Sequence, residues 1–340
     1  MIPFGYPPME MRAVSDVPDG PQWQYEPKWD GFRCLAFRDG RDVALQSKAG
    51  QPLGRYFPEI ADAIAKLPAK HFVLDGELVV PIAGAFSFDS LQQRIHPAAS
   101  RVAMLAKKTP AWYLAFDLLS EDGRDLIALP LAERRERLER FATSFDGETL
   151  RLSPATRDRA VVDDWFARVG GALDGVIAKR ADAAYASGTR DAAVKVKRVR
   201  TADCVVGGFR FAKGSTSSVG SLLLGLYDEA GLLDYIGFCS AFSAEEKRAL
   251  RARLRPHEGE PGFTGMAPDS APSRWSRGED RDRTYVKLKH DLVIEVAFDQ
   301  VTGGRIRHGT RPVRWRPDKA PRQCTSEQLA TPDRALALLE

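Results

Sequence analysis

The chain is short of cysteine, of histidine and of long apolar runs, and each shortage closes off a class of protein. Four cysteines (Cys34, Cys204, Cys239, Cys324) are spread over 340 residues. None forms a Cys-x-x-Cys pair, which argues against a disulfide framework and against a structural zinc site. The five histidines form no cluster either. No apolar stretch is long enough to cross a bilayer, so no membrane partner is expected. The start, Met1-Ile2-Pro3-Phe4-Gly5-Tyr6-Pro7-Pro8, lacks the basic-then-apolar pattern of a signal peptide. Together these features predict a cytoplasmic protein. An excess of one charge is also missing: 50 Lys and Arg against 46 Asp and Glu leave a net charge of only +4. Composition alone therefore does not announce a nucleic-acid binder.

What is present fits a soluble globular protein, with 44% hydrophobic and 28% charged residues. The length suffices for about two domains. The distribution of charge says more than its sum. Lys179, Arg180, Arg190, Lys195, Lys197, Arg198 and Arg200 fall close together, as do Arg305, Arg307, Arg311, Arg314, Arg316, Lys319 and Arg322. Such clusters can be phosphate footprints, although most charge runs are simply solvated faces.

The most informative stretch is Glu26-Pro27-Lys28-Trp29-Asp30-Gly31-Phe32-Arg33. A free lysine amine, with a pKa of about 10.4, is protonated at neutral pH. Desolvation or neighbouring cations lower that pKa and make the amine a nucleophile. Gly31 lets backbone approach a ligand closely, and Arg33 offers a planar fork of donors for a ribose or phosphate. On these residues alone, a solvated lysine beside an Asp30-Gly31 hairpin turn is the simpler reading. The rest of the chain reverses that preference.

Residues 1–22 read as an irregular lead-in. Strands are expected over Phe32–Phe37, Val43–Gln46, Phe72–Val80, Trp112–Leu119, Asp174–Arg180 and Ala193–Lys197, with helices over Phe57–Leu67, Phe86–Ile95 and Leu131–Ala142. A loop is expected between the second helix and Lys107-Lys108. The charged helix Glu133-Arg134-Arg135-Glu136-Arg137 reads as a solvated outer face. In Phe72–Val80, Asp75 and Glu77 interrupt an apolar run, which is costly unless they have partners. In Ala193–Lys197, Lys195 and Lys197 share a strand face and repel one another unless an anion lies between them. Beyond about residue 201 the pattern changes to short strands (Cys204–Phe211, Ser221–Tyr227, Leu233–Cys239, Tyr285–Lys289, Val293–Phe298) and one helix, Ala244–Leu254. Five short strands and a helix fit a small OB-type barrel. Residues 256–282, rich in Pro, Gly, Ser and charge, read as a mobile loop.

The segment Lys28-x-Asp30-Gly31-x-Arg33 resembles motif I of the covalent nucleotidyltransferases, a group that includes ATP-dependent DNA ligases, RNA ligases and mRNA capping enzymes. Further segments resemble the family's later motifs in the family's order: Asp75-Gly76-Glu77, Phe116-Asp117, Asp174-Gly175, Lys195-Val196-Lys197 and Arg316-Pro317-Asp318-Lys319. The likeness spans roughly residues 23–322. It is nearest to the short bacterial ligases called ligase C and to the ligase module of the multifunctional ligase D. The polymerase and nuclease modules of ligase D, and the N-terminal DNA-binding domain of larger ligases, are not expected in this chain.

The resemblance implies an α+β fold: a nucleotidyltransferase (ATP-grasp-like adenylation) domain over 1–200, followed by an OB-fold β-barrel domain over 201–340. It implies Lys28 as the nucleophile that takes AMP from ATP. Glu26, Arg33, Glu77, Phe116, Ile177, Lys195 and Lys197 would bind the nucleotide, with Glu77 on a ribose hydroxyl, Phe116 and Ile177 on the faces of the adenine, and the two lysines on the α-phosphate. Asp174 would help place a divalent cation, Mg2+ or Mn2+, although the family usually has glutamate there. Lys48 stands where the family has an arginine that touches DNA or nucleotide. Arg316, Asp318 and Lys319 would orient the leaving pyrophosphate. The implied function is sealing of nicked double-stranded DNA in repair or end joining, in the bacterial cytoplasm with the nucleoid, and the implied partners besides DNA are end-joining or repair proteins. RNA ligation or capping is the nearest alternative, and a catalytically silent scaffold that binds DNA ends is the alternative of another class.

Overall fold

The computed structural model describes residues 2–169, 173–197, 199–268, 284–307, 309–330 and 335–339. The chain divides into two compact units, Met1–Arg198 with Thr331–Glu340, and Val199–Ala330. The division falls two residues before the expected boundary, and the described C-terminal residues 335–339 group with the first unit.

The first unit is built on two sheets. Its strands are β1 (Arg12–Val14), β2 (Trp23–Pro27), β3 (Phe32–Asp39), β4 (Asp42–Ser47), β5 (His71–Val79), β6 (Trp112–Glu121), β7 (Leu150–Leu152), β8 (Gly175–Arg180) and β9 (Ala193–Lys197). Its helices are α1 (Pro58–Lys66), α2 (Phe88–Gln93), α3 (Ala99–Lys108), α4 (Leu131–Phe141) and α5 (Arg159–Val169). One sheet runs β7-β6-β5-β3-β4 and the other β1-β9-β8-β2.

Strand alternation decides what each face holds. Cys34, Ala36, Leu74, Tyr113 and Ala115 pack with Ile60 and Ile64 of α1. Leu35, Phe37, Val73 and Leu119 point the other way, and pack with Ala193 of β9 and with Tyr185. In the second sheet Tyr25, Val176, Ala178 and Val194 face Val162 and Trp165 of α5. The intervening residues Glu26, Ile177, Lys179 and Lys195 therefore face the first sheet. The polar residues of interest lie in the layer between two sheets whose outer faces are apolar and covered.

Several expectations are corrected here. The lead-in is not wholly irregular. β1 pairs in parallel with β9, Ala13 opposite Lys195, and Ile2 and Met9 are buried. The loop expected after α2 contains α3, which buries Val102 and Leu105 while its lysines stay outside. Helix α2 is shorter than Phe86–Ile95, because Ser87 caps it by accepting the Ser90 N–H at 3.2 Å, and Ala85–Phe86 pairs with Pro81–Ile82 instead. Helix α4 is not a solvated face: Arg134 and Arg135 are buried, at 1% and 7% exposure. Arg134 makes a bidentate pair with Asp117, at 2.9 and 3.0 Å. A charge pattern does not reveal that such an arginine has an internal partner.

The second unit contains β10 (Arg200–Phe211), β11 (Val219–Tyr227), β12 (Leu233–Cys239), α6 (Ala244–Leu254), β13 (Val293–Phe298) and β14 (Arg311–Trp315), in the sheet order β12-β11-β10-β13-β14. The sheet does not close by a continuous ladder among the described residues; a single bridge, Cys239 to Thr310, links its two ends. Register shifts in β10 against β11 let the long strand bend around the core of Val205, Leu222, Leu224, Ile236, Ile294 and Val296. A capping box, Ser243 with Glu246, starts α6. Of the expected strand Tyr285–Lys289, Val286–Lys287 pairs with β10 and Leu288 bridges to Glu258. The N–H groups of Gly259 and Gly262 donate to the carbonyls of Lys287 and Leu288, both at 3.2 Å. Residues 269–282 of the expected mobile loop lie outside the described residues. No described helix is long and apolar enough to cross a membrane.

Candidate active site

Strand β2 ends at Pro27, and the Lys28 N–H donates to the Gly175 carbonyl at 3.0 Å, which moors the lysine's backbone to the start of β8. Three residues on, the chain passes over β5 at Gly31. A Cβ there would collide with the Leu78 carbonyl and stand 2.7 Å from Glu77 Cγ. Only glycine allows the crossing, and the crossing brings Lys28 beside Glu77.

The Lys28 ammonium forms an ion pair with Asp174, and the two side chains are 19% and 3% exposed. Burial favours the neutral amine, but the charges of Asp174, Glu77 and Asp30 outweigh it and raise the Lys28 pKa. The lysine therefore rests protonated, the reverse of the lowering expected from desolvation and cations. The other carboxylate oxygen, Asp174 Oδ1, is buried without a hydrogen-bond partner.

Glu77 has its pKa pushed up to about 8 by burial, which prevails over the attraction of Arg33 and Lys28; Asp30 and Asp75 add to the rise. Its strand neighbour Arg33 is clamped on Asp75, Nε to Oδ1 at 2.8 Å and Nη2 to Oδ2 at 2.6 Å. Arg33 thus lies beside Glu77 as expected, but held by a carboxylate that the sequence reading left without a role.

Across the opposite sheet, Glu26, Ile177 and Lys195 stand side by side in register. Glu26 is buried, accepts from Gln24 Nε2 at 3.0 Å and pairs with Lys179 Nζ at 2.6 Å. Lys179, read earlier as part of a basic cluster, is buried inside, and its Nζ lies 4.4 Å from the centroid of the Phe116 ring. The Arg33 guanidinium lies 5.0 Å from the same ring. A bulge in the pairing of β6 with β5, between Asp75 and Gly76, singles out Phe116 from the strand's alternation. Burial, with Lys28, Lys197, Lys48 and Arg190 nearby, lowers the Lys195 pKa, as expected of cations that await an anion.

Much of the basic surface is spent internally. Lys48 pairs with Glu10 at 3.0 Å, Arg190 also binds Glu10, and Arg180 binds Asp182. In the second unit, Arg316 reaches Asp203 at 2.9 Å and Asp318 at 2.9 Å, Lys319 stands 3.8 Å from Asp203, and Arg314 binds Glu295. The first unit thus gathers Lys28, Glu26, Arg33, Glu77, Phe116, Ile177, Lys195 and Asp174, while Arg316, Asp318 and Lys319 form a separate ion-pair cluster in the second. The sequence reading missed Lys179, Asp75, Tyr185 and the Asp117–Arg134 pair. For Asp75 the signal was present, as an acid in an apolar strand.

Residues 10–197 match the family profile described as the ATP dependent DNA ligase domain, and 215–319 match the ATP dependent DNA ligase C terminal region. The chain belongs to the ATP-dependent DNA ligase family. The ligase is 46% identical to DNA ligase C1 of Mycolicibacterium smegmatis over 338 residues, covering 96% of this chain and 94% of that protein. It is 35% identical to the multifunctional non-homologous end joining DNA repair protein LigD of Mycobacterium tuberculosis, over 90% of this chain but 38% of that one. A solved structure of a Lig E DNA ligase, from a study of DNA binding with a minimal scaffold, superposes with a TM-score of 0.56 at 16% identity, over 91% of this chain and 99% of that chain. That likeness shows the fold. The family matches favour a DNA-joining enzyme that uses ATP over RNA ligation, capping or a silent scaffold.

Proposed function

We propose that Lys28 carries AMP from ATP to the 5′-phosphate of a nick, and that the 3′-hydroxyl then displaces AMP to seal the strand. The observation that carries this reading is one half-buried lysine paired with Asp174 beside Glu77 and Asp30, in a chain of this family. In the first step the Lys28 amine attacks the α-phosphorus, a phosphoramide bond forms, and the bond to pyrophosphate breaks. Lys28 must first give up a proton. A cation on Asp174 would offset the largest of the charges that raise the amine's pKa, leaving burial opposed by Glu77 and Asp30 alone. Lys195 and Lys197 then face an anion and neutralise charge on the α-phosphate. The Glu26–Lys179 pair presents an acceptor beside a donor, matching the amino group and ring nitrogen of an adenine edge. Phe116 and Ile177 supply apolar faces for the base, and Glu77 with Arg33 takes the ribose.

A divalent cation fits the donor set. Asp174 Oδ1 is a buried oxygen with no hydrogen-bond partner, and Mg2+ is commonly held by one or two carboxylates together with substrate phosphates. When bound, such a cation supplies neutralisation of phosphate charge. Asp174 is the residue that would hold it.

Arg316, Asp318 and Lys319 are read as the groups that orient the leaving pyrophosphate, and Lys48 as a contact to DNA phosphate. The biological setting we propose is repair or end joining on bacterial DNA, in the nucleoid-containing cytoplasm, with partner proteins of those processes. The test is incubation with ATP labelled on the α-phosphate and a divalent cation, without DNA. Label should remain on the denatured protein, disappear in Lys28→Ala, and pass to nicked DNA when DNA is added. Label that moves to RNA and not to DNA would overturn the reading.

A further inference from the structure

The nucleotide site contains a buried tyrosine that neither the motifs nor the mechanism uses. Tyr185 lies between β8 and β9 and is 5% exposed. Its hydroxyl donates to Asp75 Oδ2 at 2.6 Å and accepts the Met9 N–H at 3.0 Å. Arg33 Nη2 stands 3.5 Å from the same oxygen. The Arg134 guanidinium stands 5.6 Å from the centroid of the tyrosine ring, packed against it. We infer that Tyr185 is a positioning residue that fixes Arg33, through Asp75, toward the ribose of the bound nucleotide; the inference rests on the nucleotide site proposed above.

The geometry carries it in three steps. Asp75 is fully buried, and its two oxygens take the Nε and Nη2 edge of Arg33. A carboxylate held by one partner alone can rotate about its terminal torsion, which is broad; the hydroxyl on Oδ2 removes that freedom. Clamped this way, Arg33 keeps its Nη1 end uncommitted among the described residues. Glu77 is the direct strand neighbour of Arg33, on the same sheet face, and its carboxylate makes no hydrogen bond among the described residues. A free donor and a free acceptor side by side suit a pair of ribose hydroxyls. A hydroxyl contact to a charged group discriminates strongly against an analogue that lacks it.

The test measures binding of ATP, 2′-deoxy-ATP and 3′-deoxy-ATP by calorimetry in a Lys28→Ala background, where no adduct forms, and self-adenylylation by the same nucleotides with Lys28 present. The parent should prefer ATP over at least one deoxy analogue by about tenfold. Tyr185→Phe, which deletes only the hydroxyl, should abolish most of that preference by weakening ATP while leaving the deoxy analogue and the limiting rate nearly unchanged. Asp75→Asn should do the same, and the double variant should be no worse than Asp75→Asn. Tyr25→Phe, which removes another buried hydroxyl bond, to the Pro18 carbonyl at 2.9 Å, should keep the preference. Tyr185→Phe that weakens all three nucleotides equally overturns the inference, as does a parent blind to both hydroxyls. Normal discrimination in binding with no adduct on Lys28 leaves the inference standing and removes the assignment of the nucleophile. No nucleotide binding at all removes both.

Discussion

At Lys28 two influences oppose each other: burial favours the amine, and the charges of Asp174, Glu77 and Asp30 favour the ammonium and prevail. Adduct formation should therefore climb with pH into the alkaline range, as the reactive amine is released. Asp174→Asn removes the largest raising influence, so the rising limb of the pH–rate profile should move to lower pH even as the rate falls. An unmoved limb would show that Asp174 does not set the lysine's proton. Glu77 works in the other direction. Its folded pKa of about 8 lies above its ordinary value, so between roughly pH 4.5 and 8 the folded state holds the proton that the unfolded chain has lost. Stability contributed by the protonated form is complete below that window and is lost as pH rises through it. Glu77→Gln should accordingly raise the melting temperature at pH 9 by a few degrees, about 2–4 °C for each kcal/mol recovered, and leave it unchanged at pH 4. Scanning calorimetry at the two pH values measures the difference.

Among the elements, α4 and β3 show how an internal contact sets position. Helix α4 is pinned to β6 by Arg134 on Asp117, both 1% exposed, beside an apolar stripe of Leu131, Leu138 and Phe141. Truncating one partner leaves the other charge buried alone. Arg134→Ala should thus cost about 3–5 kcal/mol, read from urea unfolding, whereas replacing both residues with apolar ones of similar size should cost much less. Gly31 opens β3 where backbone and Glu77 leave no room for a Cβ. Gly31→Ala should displace Glu77 relative to Lys28 and slow adduct formation by about a hundredfold or more, with the fold retained by circular dichroism. Helix α4 was legible as a helix from its periodicity, but its orientation was not: five charged residues in a row look solvated until Asp117 is brought beneath them. Helix α3 was illegible for a related reason, since only Val102 and Leu105 mark its buried side.

For the whole molecule, the steps of the proposed reaction should respond differently to salt. Formation of the proposed Lys28 adduct, from ATP and a divalent cation without DNA, should vary little with salt. Sealing should fall steeply between 50 and 200 mM salt at limiting DNA, by about a thousandfold if some six phosphates are neutralised. Sealing that ignores salt would argue against a grip on the DNA backbone. In the second unit Arg316 is shared by Asp203 and Asp318. Arg316→Ala should slow transfer from ATP to Lys28 far more than it slows closure of a nick already carrying AMP, a comparison made with pre-adenylylated DNA.

The sequence by itself determined the order of most elements and named most residues of the candidate site. Alternation and acids in apolar strands are local signals, and Lys28, Glu77, Lys195 and Asp174 each sit at a local irregularity. The tertiary structure alone decided which charges meet. Lys179, two residues from Ile177 on β8, looks like any surface lysine until β2 brings Glu26 alongside it. Asp174 and Lys28 are separated by 146 positions in the chain, and Tyr185 and Asp75 by 110. Each pair determines a proton's position or a guanidinium's direction. Such couplings depend on distances of a few ångströms through a buried medium, and those distances exist only once the two sheets have packed.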